Sequence, residues 1–149
     1  MGKRRSYKGK FKPRNPEKYK GDLNDIIWRS SWELKFMNAL DTNPNVMFWS
    51  SEPFPIRYVS PKDNRVHRYF VDFYVDSKNK NGTRTKSLIE VKPEYQTKPP
   101  KQGKSKSKRF LTESVTYAVN QAKWHAARNF CKKQGWHFRI ATERELGIK

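Results

Sequence analysis

A single cysteine, Cys131, stands in a chain of 149 residues, so no internal disulfide framework is open to it and a reducing compartment suits it. Long apolar runs are missing too: none approaches the roughly 20 residues that a membrane-spanning helix requires. The N-terminus, Met1-Gly2-Lys3-Arg4-Arg5, is basic, but no apolar stretch follows, which argues against a secretory signal. No glycine-rich phosphate loop occurs, so nothing supports nucleotide hydrolysis. His67, His125, His137 and Cys131 make no Cys-x-x-Cys or His-x3-His pair, so zinc-ligand spacing is absent. Cys131 also lacks the His–Asn order of a thiol nucleophile and reads as part of a helix packing face. Acids are scarce: 14 Asp and Glu face 33 Lys and Arg, a net charge of +19.

What is present suits one domain. Apolar residues are only 34%, yet aromatics reach 14%, too many for a disordered chain. A compact core with basic appendages reconciles the two. Residues 1–20 hold nine basic residues and one acid, Glu17, and residues 96–110 hold six basic residues and no acid. These segments carry +14 of the +19, together with much of the glycine, proline and serine, and read as a disordered basic arm (residues 1–21) and a mobile loop (96–110). Such an excess points to a polyanion partner, DNA or RNA, with affinity falling steeply with salt. The candidate phosphate contacts are Lys3, Arg4, Arg5, Lys8, Lys10 and Lys12 in the arm and Lys104, Lys106, Lys108 and Arg109 in the loop. Aromatics are sparse in the arm, which favours a backbone clamp over base stacking.

From residue 22 to the end the pattern is that of a folded domain. Ser30-Ser31 supply an N-cap for a helix carrying Trp32, Phe36 and Leu40 on one side, and Asn43-Pro44 stops it. Leu23, Ile26 and Ile27 are expected in an earlier helical turn. Strands are expected at 46–49, 56–59, 66–75, 86–92 and 136–142, with turns at Pro61–Asn64 and Asn79–Gly82. Alternation places Tyr69, Val71, Phe73 and Val75 on one sheet face and Asp72 on the other. A long helix is expected over 113–134, with Val115, Ala118, Val119, Ala122, Ala126 and Phe130 as its apolar stripe and Gly135 as its stop. Thr142–Leu146 is a candidate terminal helical turn. The tryptophans read as core. The class is α/β: a mixed sheet flanked by helices, its final strand joined through a crossover helix.

Charged residues break the strand logic at two places. Asp72 is embedded in apolar and aromatic residues, where an unpaired carboxylate is costly. Glu90 and Lys92 share a face of the next strand. If the two strands pair, Asp72 and Glu90 converge, and a hard divalent cation, Mg²⁺ or Mn²⁺, relieves their repulsion. Lys92 is then placed to orient or deprotonate a water or to steady a phosphate oxygen. Glu33, on the first helix, is a third candidate carboxylate. A buried Glu–Lys pair that merely satisfies itself is the plainer account of Glu-Val-Lys taken alone.

The ordered set Ser30-Ser31-Trp32-Glu33, Tyr69-Phe70-Val71-Asp72-Phe73 and Leu88-Ile89-Glu90-Val91-Lys92-Pro93 resembles the PD-(D/E)XK nucleases, in particular the branch of the Tn7-type transposon's end-cleaving subunit. The downstream Gln121-Ala122-Lys123 helix, Gly135–Ile140 and Thr142-Glu143 also fit, so the likeness covers about residues 29–145. Val71 stands where the signature has proline. The whole chain is similar to the nucleases of head completion in T-even bacteriophages. The resemblance implies a restriction-endonuclease-like fold and a metal-dependent deoxyribonuclease, an endonuclease or end-trimming enzyme acting on double-stranded DNA. Asp72, Glu90 and the Val91 carbonyl would hold Mg²⁺, with Glu33 completing the acidic set, and Lys92 would position or activate water. Lys123 or Gln121 would touch the phosphate. It also implies action in the host cytoplasm and the virion, beside phage head or portal proteins. Two rivals remain open: a catalytically idle structural protein that binds DNA ends in the head, and an RNA-binding protein of ribosomal type.

Overall fold

The computed structural model describes residues 8–101, 103 and 107–148; Lys3, Arg4, Arg5, Lys104 and Lys106 lie outside the described residues. Its centre is a four-stranded mixed sheet of β3 (Val46–Ser51), β6 (Phe73–Lys78), β7 (Arg84–Val91) and β8 (His137–Ala141), in the order β3-β6-β7-β8. β6 and β7 form an antiparallel hairpin closed by Asn79–Gly82, with Gly82 at φ 87°. β8 lies parallel to β7, so the long helix α2 (Lys108–Gln134) is the crossover a parallel pair needs. The expected α/β class and mixed sheet are therefore what the chain forms. Two further ribbons flank it: β1 (Gly9–Lys10) with β2 (Ile27–Trp28), and β4 (Pro55–Val59) with β5 (Val66–Phe70).

Each sheet face carries its own apolar layer. Helix α1 (Ser31–Thr42) lays Phe36, Met37 and Leu40 against Trp49, Phe73, Val75 and Ile89, joined by Leu146 of the terminal helix α3 (Glu143–Leu146). Helix α2 covers the other face with Trp124, Ala127 and Cys131 against Ile56, Tyr69, Val71 and Leu88. Burial of such side chains, each contributing about 1.5–3 kcal/mol, holds the layers together. Cys131 is packing, as expected. The buried stripe of α2 is Asn120, Trp124, Ala127 and Cys131; of the stripe expected from Val115 on, Ala126 and Phe130 pack beside it, whereas Val115 is 43% exposed and Ala118 is exposed too. The first turns of α2 instead set Thr112, Thr116 and Tyr117 along a cavity shared with Tyr95 and Pro100. The helix also starts five residues earlier than expected, at Lys108, because Ser107 caps the Phe110 N–H.

Residues 8–20, expected in a disordered arm, pack against the domain. Phe11 is buried and meets Trp49 edge-on, Tyr19 does the same from the other side, and Phe11 N–H reaches the Ile26 carbonyl at 2.8 Å. Buried Asp41 at the end of α1 accepts the Arg14 and Asn15 N–H groups at 2.8 and 3.1 Å. The basic side chains masked this in composition, because Lys8, Lys10 and Lys12 point outward while a few apolar residues anchor the backbone. Ile26 and Ile27 belong to that ribbon and its flank, not to a helical turn; Ile26 is fully buried.

Candidate active site

The expected single strand over 66–75 is broken. Val66–Phe70 pairs with β4, Val71 and Asp72 belong to no strand, and Phe73–Lys78 pairs with β3 and β7. The break re-phases the alternation. Tyr69 and Val71 face the α2 layer, whereas Phe73 and Val75 face α1, so these four do not share one face as expected. Asp72 occupies the step. Its carboxylate takes the Val91 N–H at 2.8 Å, just past the last β6–β7 rung, Phe73↔Ile89. A side chain thus replaces the missing backbone rung at that end of the hairpin.

Glu90, and Lys92 just beyond the end of β7, project on the α2 side, the side of Leu88 and Tyr69. Glu90 is 7% exposed, and the Lys92 Nζ stands 3.7 Å from its Oε1. The Tyr69 hydroxyl donates a short hydrogen bond to Glu90 Oε2. Lys123 of α2 holds its Nζ 5.5 Å from the centre of the Tyr69 ring and 5.9 Å from that of Tyr58. Burial, then the neighbouring Glu90, then Glu33 push the Asp72 carboxyl well above the usual carboxylate range, against the Val91 N–H and Lys92. Burial likewise raises Glu90, against Tyr69, Lys92 and Lys123. Burial, then the neighbouring Glu90, push the Tyr69 phenol well above its ordinary value. Two carboxylates therefore crowd one partly closed place with a lysine at its edge.

Glu33 comes from α1 and feels Asp72 electrostatically, but it is also tied into the start of that helix. Its N–H goes to Ser30 Oγ at 3.1 Å, and its Oε2 accepts the Arg29 N–H at 2.6 Å. Glu52, which the sequence did not single out, braces the same corner. It sits at φ 45°, donates its N–H to the Asp72 carbonyl at 2.9 Å, and pairs with Arg29 at 3.1 Å. Tyr69 was missed as well; the signal was a tyrosine three residues before the odd aspartate. Gln121 is half-buried on α2 with no described contact to the pair. Of the candidate DNA contacts, Lys8, Lys10, Lys12, Lys108 and Arg109 are exposed, and Arg109 pairs with Glu113 at 2.8 Å.

Among the described residues, no group of three or more His, Cys, Asp or Glu side chains stands close enough to hold a metal ion as it is. The donors present still fit one. Asp72 and Glu90 offer buried carboxylate oxygens with uncompensated repulsion, the chemistry that hard cations satisfy.

Comparison with known proteins adds two findings. A family model described as TnsA-like endonuclease N terminal matches residues 43–143. The head completion nuclease of Enterobacteria phage T4 is 38% identical over 151 residues, covering 97% of this chain and 98% of its own length. Asp72, Glu90 and Lys92 lie inside the family match; Glu33 lies before it.

Proposed function

From the premise that the chain belongs to the TnsA-like endonuclease family, we propose that it is a divalent-metal-dependent deoxyribonuclease that cuts or trims duplex DNA during phage head completion. The observation that carries this is the meeting of Asp72, Glu90 and Lys92 where the β6–β7 ladder ends. Asp72, Glu90 and the Val91 carbonyl would hold Mg²⁺ or Mn²⁺, with Glu33 joining directly or through water. The ion supplies polarisation of the scissile phosphate and stabilisation of the leaving oxygen.

The protein's own groups do the remaining work. The Tyr69 hydroxyl pins one Glu90 oxygen, and the Val91 N–H pins one Asp72 oxygen, which leaves the other Asp72 oxygen and Glu90 Oε1, faced by Lys92 at 3.7 Å, to meet a ligand. Lys92, fixed beside Glu90, orients the attacking water and offsets charge on the phosphate. Lys123 meets the phosphate from the α2 side. Lys8, Lys10, Lys12, Lys108 and Arg109, with Lys3, Arg4, Arg5, Lys104 and Lys106, hold the duplex backbone. The head assembly and its portal are the setting suggested by the phage relative's name.

The test is incubation with supercoiled, linear and branched DNA, with and without Mg²⁺. Mg²⁺-dependent nicking is expected, abolished by Asp72→Ala with DNA binding kept. If Asp72→Ala cuts as the parent does, the site is misassigned. If the parent binds DNA ends but never cuts, the idle structural role takes its place.

A further inference from the structure

The hairpin β4–β5 stands apart from the central sheet and presents a face the nuclease chemistry does not use. Its register sets Pro55 opposite Phe70, Arg57 opposite Arg68, and Val59 opposite Val66. All six are exposed, Val59 at 57% and Val66 at 64%, whereas Ile56 and Tyr69 on the reverse face are buried. Like charges directly opposite on a strand pair repel. Among the described residues neither arginine lies within ion-pair distance of a carboxylate. Lys62 and Arg65 extend the charge to the exposed tip, where the one acid, Asp63, is engaged by His67 at 2.8 Å and by the Arg65 N–H at 3.0 Å. An unneutralised arginine pair framed by exposed apolar rungs is costly in a free surface and needs a polyanion with apolar edges.

We infer that the outer face of β4–β5 is a ribbon that enters a groove of duplex DNA, Arg57 and Arg68 gripping phosphates on either side and Val59, Val66 and Phe70 lying against sugars and base edges. This rests on the nuclease reading for its location, not for its chemistry. The three rungs span about 14 Å at the usual strand rise. B-DNA's major groove, about 12 Å wide, admits a two-stranded ribbon. The deep, narrow major groove of duplex RNA does not. The ribbon is tied rigidly to the candidate active site. Phe70 precedes Asp72 by two residues, and Tyr69, on the reverse face of the same strand, bonds Glu90. A duplex seated on the ribbon is thereby held next to Asp72 and Glu90.

The experiment measures affinity for a short blunt-ended duplex in EDTA as a function of salt, for the full chain and for the double variant Arg57→Gln/Arg68→Gln. Both side chains are exposed, and a thermal melt checks that the variant folds. The slope of log affinity against log salt is expected to fall by about 1.8, two phosphates at about 0.9 each, with affinity down roughly 10- to 100-fold at 0.1 M salt. Lys78→Gln/Lys80→Gln, on exposed residues at the hairpin end of β6–β7 away from Asp72, should keep the parental slope. An unchanged slope for the arginine variant, or an equal fall for the lysine control, overturns the ribbon. A duplex RNA of the same sequence bound as tightly and as arginine-dependently overturns its placement in a DNA groove. A parent that fails to cut in Mg²⁺ while the arginine slope falls as expected overturns the nuclease reading and leaves the ribbon standing.

Discussion

Replacing Asp72 by asparagine is expected to make the metal-free protein more stable while destroying cleavage. Asparagine keeps an oxygen for the Val91 N–H now held at 2.8 Å, so the bridge at the end of the β6–β7 ladder survives. What leaves is a charge that burial, Glu90 and Glu33 together disfavour by more than the Val91 N–H and Lys92 favour it. A carboxyl raised in the folded state binds protons that the unfolded chain has released. Its contribution is thus full below the ordinary carboxylate range and lost as pH rises through the raised value. Each unit of elevation costs about 1.4 kcal/mol at neutral pH. A gain of about 1–2 kcal/mol is in line with relieved functional sites, and at about 2–4 °C per kcal/mol for this size it lifts the melting temperature by roughly 2–8 °C. Calorimetry in EDTA at neutral pH measures it, and the gain should vanish toward acid pH, where the parent's carboxyl is protonated. Mg²⁺ at about 100 times its dissociation constant adds about 2.7 kcal/mol to the parent and little to Asp72→Asn. An asparagine variant less stable than the parent in EDTA, or equally stabilised by Mg²⁺, refutes the claim that Asp72 and Glu90 form a strained pair awaiting a cation.

Further outcomes follow from individual contacts. Glu33→Gln keeps an acceptor for the Arg29 N–H, so stability should stay within about 0.5 kcal/mol while cleavage drops; Ser30→Ala, which removes the cap, should cost about 1 kcal/mol in denaturant unfolding. Tyr69→Phe takes away a buried hydrogen bond to a carboxylate and should lower stability by about 1.5–3 kcal/mol, with a fall in plasmid nicking because Glu90 is no longer pinned. Asp41→Ala strands the Arg14 and Asn15 N–H groups and the turn after them; a loss of about 2–4 kcal/mol and faster tryptic cleavage near residues 14–18 are expected, and an unchanged digestion rate would mean the segment is not held by Asp41. Deleting residues 2–20 removes Phe11 and Tyr19 from Trp49 and should destabilise by several kcal/mol, not merely flatten the salt dependence of DNA binding.

Local chemistry is written along the chain, and much of this protein is legible there. Ser30 and Glu33 spell a helix start, Gly135 a helix stop at φ 73°, Asn79–Gly82 a hairpin, and the alternation around Ile89 a strand. The isolated carboxylates Asp72 and Glu90 announced themselves by standing among apolar residues. Each of these depends on neighbours a few residues away, so spacing suffices. What only tertiary structure decided is which surfaces are covered. The apolar spacing of α2 ran through Val115, which stayed exposed, while the polar Asn120 was buried because its side of the helix is the one that the fold covers. The strand through Asp72 was cut because two different sheets claim its halves, and that cut, not alternation, aims the Asp72 carboxylate at Val91. A basic segment became part of the body because Trp49 and Asp41, far along the chain, supplied its partners. Periodicity specifies what a segment can bury or bond; the long-range partner that excludes water decides whether it does.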